Sequence, residues 1–255
     1  MSWSAQRYVR FEAERTRPVR DLLGAVPLDH VHRAVDLGCG PGNSTQALLD
    51  RYPEAEVSGF DSSPDMIAAA RARLPDVRFE EADATAWTDR GPFDLILANA
   101  LYQWIPGHER IFPDLIQRLS PGGALAIQMP DNLDEPSHAL MRKTASSGPW
   151  AARLASAAAS REALLSAAGY YRLLSRHAER VDVWRTTYQH PLAGHGAVVA
   201  WVEATGLRPF FDPLEADQRE AFKAAYEREL EVAYPALDDG TVLLAFPRLF
   251  IVAVR

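Results

Sequence analysis

A doubly wound α/β fold, with a mostly parallel sheet and helices on both faces, is predicted by three features of the chain. The first is Val31–Leu37, an apolar run with a basic edge that feeds Gly38-Cys39-Gly40-Pro41-Gly42; Ser44–Tyr52 follows with Ala47, Leu48 and Tyr52 spaced for one helix face. Strand, glycine turn and helix form the opening unit of such a fold, and its ligand lies beyond the strand's carboxyl end. The second is the alternation of extended and helical patterns up to Pro130, including the apolar run Phe93–Ala98. The third is the break in that alternation after Pro130, which predicts a helical cap before the last strands.

Taken in order, Ser4–Arg15 has helical spacing, with Tyr8, Phe11 and Arg15 near one face. Pro18 interrupts it, and Thr16 can cap a short second helix that ends at Gly24. The second strand, Glu56–Phe60, ends at Asp61, 19 residues past Gly42. At that interval this fold presents an acid to ribose hydroxyls, and a carboxylate can accept from both at once. Ser62-Ser63-Pro64-Asp65 opens a helix carrying Met66, Ile67 and Ala70; Met66 is read either as core filler or as an adenine contact. Val77–Glu80 is the third strand, and Asp83 beyond it is by itself a turn or cap residue.

The fourth strand, Phe93–Ala98, is apolar almost throughout, as suits burial on both faces, and Asn99, Leu101, Tyr102, Gln103 and Trp104 follow its carboxyl end. His108–Leu119 reads as a helix stopped by Ser120-Pro121-Gly122-Gly123, and Ala124–Met129 as the fifth strand. Pro136–Gly169 is helical in composition, whereas Arg176–His190 is rich in strand formers. Gly196–Ala204 and Leu214–Tyr234 return to helix, and Leu243–Val254 closes as an antiparallel strand near the sheet's edge, with a turn at Pro247-Arg248. The expectation is one domain over 1–255. It has a lid helix over about 1–25 and a core over about 30–130, completed by strands near 176–190 and 242–255. The helical cap comes from about 131–175 and 193–236.

Composition narrows the function. Hydrophobic residues make up 47% of 255, enough for a full core, and no apolar run is long enough to cross a membrane. The N-terminus has no apolar signal core, and the single cysteine, Cys39, suits a reducing compartment; a cytoplasmic monomer is expected. A net charge of −7 argues against a nucleic-acid partner. The seven histidines show no H-x-x-x-H spacing or cysteine pairing, and there is no Gly-x-Ser-x-Gly, so neither a metal nor a serine nucleophile is expected.

The turn is not a dinucleotide fingerprint. Asn43 occupies the third glycine position of Gly-x-Gly-x-x-Gly, and Gly42 comes one residue too early. Asp36, two residues before Gly38, suits a ligand with an ammonium group. Val35-Asp36-Leu37-Gly38-Cys39-Gly40-Pro41-Gly42 resembles the cofactor loop of class I S-adenosylmethionine-dependent methyltransferases, and Leu119-Ser-Pro-Gly-Gly123 strengthens that resemblance. The resemblance implies a Rossmann-like class I methyltransferase fold with a seven-stranded sheet, and S-adenosyl-L-methionine as cofactor. It implies cofactor contacts from Asp36, Gly38, Gly40 and Asn43; from Asp61, Ser62 and Met66; from Asp83 and Ala84; and from Asn99 and Leu101. Tyr8, Gln103 and Trp104 would position the reacting groups.

A closer resemblance covers nearly the whole chain. Trp3, Tyr8-x-x-Phe11, Glu14–Pro18, Asn99-Ala-Leu-x-Gln-Trp104 and Val183-Trp184-x-Thr186-x-Tyr188 are similar to a family that methyl-esterifies a carboxylate of trans-aconitate. A carboxylate is already ionised at neutral pH, so such a reaction needs alignment and exclusion of water, not a base. A small polycarboxylate calls for a local cationic pocket, for which Arg15, Arg17, Arg142, Arg153 and Arg185 with Tyr188 are candidates, Lys143 and Arg248 beside them. Two alternatives stand: a methyltransferase for another small acid or a malonyl-carrier thioester, and a non-catalytic regulatory protein that binds the same cofactor.

Overall fold

A computed structural model describes residues 12–158, 161–203 and 206–255. Its strands are β1 (Arg33–Leu37), β2 (Glu56–Asp61), β3 (Arg78–Glu81), β4 (Phe93–Asn99), β5 (Leu119–Pro130), β6 (Arg180–Leu192) and β7 (Val242–Val254). They form one seven-stranded sheet in the order β3-β2-β1-β4-β5-β7-β6. β1 pairs in parallel with β2 and with β4, and the pairs β2–β3 and β4–β5 are parallel too. The strand order reverses between β1 and β4, and open α/β sheets bind ligands at such a point.

The chain divides into two units. The first comprises residues up to Pro130, Leu164–Thr186 and Leu249–Arg255; the second comprises Asp131–Ala163 and Thr187–Arg248. Helices α1 (Glu12–Ala25), α2 (Asn43–Arg51), α3 (Pro64–Arg73), α4 (Phe112–Gln117) and α7 (Ala167–Leu174) belong to the first unit. Helices α5 (Pro136–Ser147), α6 (Ala151–Ala158), α8 (His195–Glu203), α9 (Arg208–Phe211) and α10 (Ala216–Ala233) belong to the second. The first core gathers Leu37, Ile96, Ala98, Ile127 and Ile251 from the sheet with Tyr102, Phe112 and Tyr170 from its helices and loops. The second is built on aromatic packing, with Trp150 centred 5.2 Å from Phe222 and His190 4.3 Å from Trp201. The Tyr226 hydroxyl donates to the Ser137 carbonyl at 2.7 Å inside it.

Several element boundaries differ from the sequence expectation, each for a physical reason. α1 runs through Pro18, whose missing N–H leaves one intrahelical bond unmade; Val19, Leu22 and Leu23, each at most 2% exposed, hold the helix regardless. The expected helix over 108–119 is a short 3₁₀ turn at His108–Arg110 followed by α4, because Pro113 fixes a new first turn. β5 begins at Leu119, five residues early: Gly122 N–H donates to the Arg255 carbonyl at 2.7 Å and Arg255 N–H to the Gly123 carbonyl at 2.9 Å. β7 shows no turn at Pro247-Arg248. Pro247 stays in the strand, its carbonyl accepting from Asp131 N–H at 3.0 Å. The helical stretch after Pro136 breaks at Gly148-Pro149 and resumes twice, the second time under a Ser166 cap that accepts from Gly169 N–H at 3.1 Å.

Candidate cofactor and active site

The turn after β1 is held open by backbone geometry. Gly38 and Gly40 have φ of 66° and 55°, a region L side chains rarely adopt. Cys39 N–H donates to the Phe60 carbonyl at 2.9 Å and Gly42 N–H to the Cys39 carbonyl at 3.1 Å. A Cβ on Gly38 would lie 2.7 Å from Leu101 Cδ1, whereas one on Gly40 would meet nothing within 4 Å. The backbone of Gly40 is therefore bare toward a cavity lined by Arg15, Thr16, Gly38, Asn43 and Asn99. This cavity lies wholly within the first unit.

Asp36, Asn43 and Asn99, in and around this turn, carry buried polar atoms without a hydrogen-bond partner. Asp36 is completely buried; its Oδ2 accepts from Ser44 Oγ and from Thr45 Oγ1, both at 2.7 Å, while Oδ1 has no hydrogen-bond partner. Burial pushes its carboxyl up to about 7 against the pull of the two hydroxyls, and the Asp61 charge adds to the rise. Both ends of the Asn43 amide and Oδ1 of Asn99 are likewise buried and unsatisfied. Each such group costs about 1–3 kcal/mol until something bonds it. S-adenosylmethionine, with ammonium, carboxylate and ribose hydroxyls, offers complementary donors and acceptors, so the residues present fit it.

Asp61 sits at the end of β2 and braces two loops. Its Oδ2 accepts from Gly40 N–H at 3.0 Å and its Oδ1 from Ser63 N–H at 2.9 Å. Burial raises its carboxyl, and the Ser63, Gly40 and Ser62 amides oppose that rise. A carboxylate has about four acceptor positions, so these amides do not exhaust its capacity. Ser62 is exposed and Met66 is buried on α3. Asp83 is exposed, and its Oδ1 accepts from both N–H and Oγ1 of Thr85 at 2.8 Å, which holds its carboxyl below the usual range. Ala84 is half-buried against the core.

At the end of β4, Asn99 pairs in register with Gln128, and Ala100 follows with φ of 57°. A non-glycine residue in that region is strained, and such strain collects at functional sites. Gln103 Nε2 donates to the Ala100 carbonyl at 2.7 Å and so fixes the strained turn; its Oε1 is buried without a partner. Trp104 is half-buried beside it in the chain.

His108 is the histidine nearest in sequence to this strand end, and both its nitrogens are engaged. Nδ1 lies 3.0 Å from the Ile105 carbonyl and Nε2 lies 2.6 Å from the Tyr170 hydroxyl. A carbonyl only accepts, so Nδ1 carries a proton toward Ile105, and Nε2 is engaged by the Tyr170 hydroxyl. The ring also packs 5.4 Å from Phe112, centre to centre. His108→Ala is expected to lower kcat by less than about tenfold, against the 10²–10⁴-fold typical of a lost general base. Initial rates from pH 6 to 9 check this; a base-like pH profile lost with the ring would reverse the assignment.

The other predicted residues are scattered. Arg15, 8% exposed on α1, lines the glycine cavity. Arg17 is exposed and lies 3.9 Å from Asp21; Arg185 is exposed on β6. In the second unit, Arg142 is half-buried and donates to the Leu133 carbonyl at 2.8 Å, Arg153 is exposed and donates to Gln218 Oε1 at 3.0 Å, and Tyr188 is buried beside His190. Tyr8, like Trp3 and Phe11, lies outside the described residues. Sequence reasoning missed Ser44 and Thr45, whose hydroxyls hold Asp36, although their place at the start of α2 was a usable signal.

Sheet order, glycine turn and acid at the end of β2 together define a Rossmann-like methyltransferase domain. A family model described as a methyltransferase domain matches residues 34–123. The YcgJ protein from Bacillus subtilis shares the fold, with a TM-score of 0.61 at 15% identity over 94% of this chain and 98% of that one. So does phosphoethanolamine N-methyltransferase 2 of Haemonchus contortus, solved with S-adenosyl-L-methionine, with a TM-score of 0.55 at 15% identity over 94% of this chain and 52% of the other. A trans-aconitate 2-methyltransferase of Methylobacterium nodulans is 56% identical over 99% of this chain and 98% of its own, and one of Rhizobium rhizogenes is 52% identical over 100% of both. The chain belongs to the trans-aconitate 2-methyltransferase family.

Proposed function

We propose that the protein is an S-adenosylmethionine-dependent methyltransferase that esterifies a carboxylate of trans-aconitate. The observation that carries this reading is end-to-end identity of 52–56% with relatives of that name. When bound, S-adenosylmethionine supplies a sulfonium methyl, which a carboxylate oxygen takes in line as the C–S electron pair returns to sulfur.

The chain's residues then bind and orient. Asp61 accepts from the ribose hydroxyls, with Ser62 and Met66 beside it; Asp83 and Ala84 take the adenine edge. Asp36 supplies the counter-charge to the ammonium, and Asn43 and Asn99 satisfy their buried amides on the methionyl end. Gly38 and Gly40 allow close approach, with Leu101 packed beneath. Arg15, placed in that cavity, suits the cofactor carboxylate better than the substrate. Gln103 and Trp104, with Tyr8, shape the transfer channel, and Arg17, Arg142, Arg153, Arg185 and Tyr188 remain candidates for the acid. We read the second unit as the source of substrate selectivity.

No helix among the described residues is long and apolar enough to cross a membrane, and we take the protein to act on a small molecule as a cytoplasmic monomer. The test is methyl transfer from labelled S-adenosylmethionine to trans-aconitate, cis-aconitate, a monocarboxylate and a malonyl-carrier thioester. Trans-aconitate is expected to give the highest kcat/KM. S-adenosylhomocysteine should raise Tm, as any ligand of the native state does, and NAD should not. No ester from any polycarboxylate would move the weight to the carrier-bound alternative.

A further inference from the structure

We propose that Arg118 and Trp87 are positioning residues for the cofactor: together they hold the connection between β3 and β4 where its residues Asp83 and Ala84 receive the adenine ring. Their role rests on the adenine contact proposed above and supplies what supports that contact. All of these residues belong to the first unit. Residues 82–92, which join β3 to β4, form neither helix nor strand, and most of them are exposed. Such a segment keeps one conformation only where other elements or side chains take its backbone groups.

Ties on both sides bracket Asp83. Before it, Ala82 N–H donates to the Asp61 carbonyl at 3.1 Å and joins the connection to the end of β2. After it, Ala86 N–H closes a turn on the Asp83 carbonyl at 3.0 Å, and Trp87 follows directly. Arg118, 8% exposed between α4 and β5, donates from Nη1 to the Trp87 carbonyl at 3.0 Å and to the Asp89 carbonyl at 2.9 Å. Its Nε and Nη2 donate to Asp114 Oδ2 on α4, and its own carbonyl accepts from Phe93 N–H at 2.9 Å. The guanidinium that grips the connection is therefore itself anchored to a helix and, through its backbone, to β4.

The same guanidinium lies 4.6 Å over the Trp87 ring, a cation against an aromatic face. That indole is half-buried and sits 5.5 Å, centre to centre, from both Phe60 and Phe93. Phe60 immediately precedes Asp61, so the aromatic stack ties the connection to the strand end that carries the ribose acid proposed above. Asp83 accepts from Thr85 N–H and Oγ1 through Oδ1 alone, at 2.8 Å, and a carboxylate has further acceptor positions for an exocyclic amino group. The brace supplies order in advance. In a loose connection, the gain from the amino group would be offset by the entropy of fixing the chain around it.

The test reads adenine recognition itself. S-adenosylhomocysteine and its deaminated analogue, S-inosylhomocysteine, differ only in the base, where a carbonyl acceptor replaces the amino donor. The wild type is expected to bind the first at least about tenfold more tightly, the scale of a hydrogen bond to a charged group. In Arg118→Met and Trp87→Leu that preference should fall below about threefold, through a weaker S-adenosylhomocysteine complex. Trp87→Phe, which keeps an aromatic face, should retain it. Arg90→Ala, at an exposed neighbour 3.3 Å from Asp114, should leave it unchanged. Should Arg118→Met fail to fold, Trp87→Leu against Trp87→Phe decides by the same ratio. Affinities that fall in parallel for both ligands, or that do not change, would overturn the assignment. A preference lost in Asp83→Ala but kept in Arg118→Met and Trp87→Leu would reject the brace and leave the adenine contact standing. A preference kept in Asp83→Ala but lost in those two variants would keep the brace and move the contact to another residue of the connection.

Discussion

Replacing Asp61 with Ala is expected to weaken S-adenosylhomocysteine binding at least a hundredfold, or about 2.7 kcal/mol. Two losses combine. Hydrogen bonds from ribose hydroxyls to a charged acceptor are worth about 1.5–3 kcal/mol. In addition, Gly40 and Ser63 lose the oxygens their N–H groups now reach at 3.0 and 2.9 Å, so the glycine turn loses its brace. Asp61→Asn is expected to fall nearly as far, because one carboxylate oxygen becomes an NH₂ group, which cannot accept. Titration calorimetry on folded variants measures this; unchanged affinity in Asp61→Ala would reduce Asp61 to a loop brace.

The second large effect concerns stability against pH. Asp36 titrates near 7 in the folded protein and near 4 in the unfolded chain, so the folded state holds its proton more tightly between those values. Stability is therefore highest at the acid end of that window and falls as pH rises toward 7, by up to about 1.4 kcal/mol per unit. Above about 7 the group is ionised in both states and contributes no further slope. The burial-raised carboxyl of Asp61 acts in the same direction. Asp36→Asn should flatten the profile. An ammonium-bearing ligand should also flatten it by stabilising the carboxylate, so S-adenosylhomocysteine should bind the wild type more tightly at pH 7.5 than at pH 5.5. Melting curves across pH 5–8, with and without ligand, check both; a wild-type profile as flat as that of Asp36→Asn would contradict the placement of the charge.

The parts of this fold that could be read from the chain are those where one local rule acts alone. β4 announced itself because Leu95–Ala98 are fully buried and therefore uniformly apolar. The turn after β1 was legible because close approach leaves glycine little competition. Elements whose limits are set by partners were harder. β5 extends back to Leu119 through bonds to Arg255, a residue more than a hundred positions away. α1 passes Pro18 because tertiary burial outweighs a local breaker. For the candidate site, Asp36, Asp61 and Asn99 lie at strand ends, where the fold itself points. The arginines carried no such marker: charge is visible in a sequence, but withdrawal from water is not, and it is burial that separates Arg15, at the glycine cavity, from Arg17 and Arg153.

Cys39 stands in the glycine turn, 2% exposed, with its thiol pushed well above the ordinary range by burial and by the charges of Asp36 and Asp61. Alkylating reagents and disulfides react with thiolates, and a thiol so placed offers almost none. The only native sulfhydryl is thus a chemical spectator. A single cysteine introduced at an exposed position can carry a fluorophore or spin label without first removing Cys39, and the glycine turn after β1 stays as evolution left it.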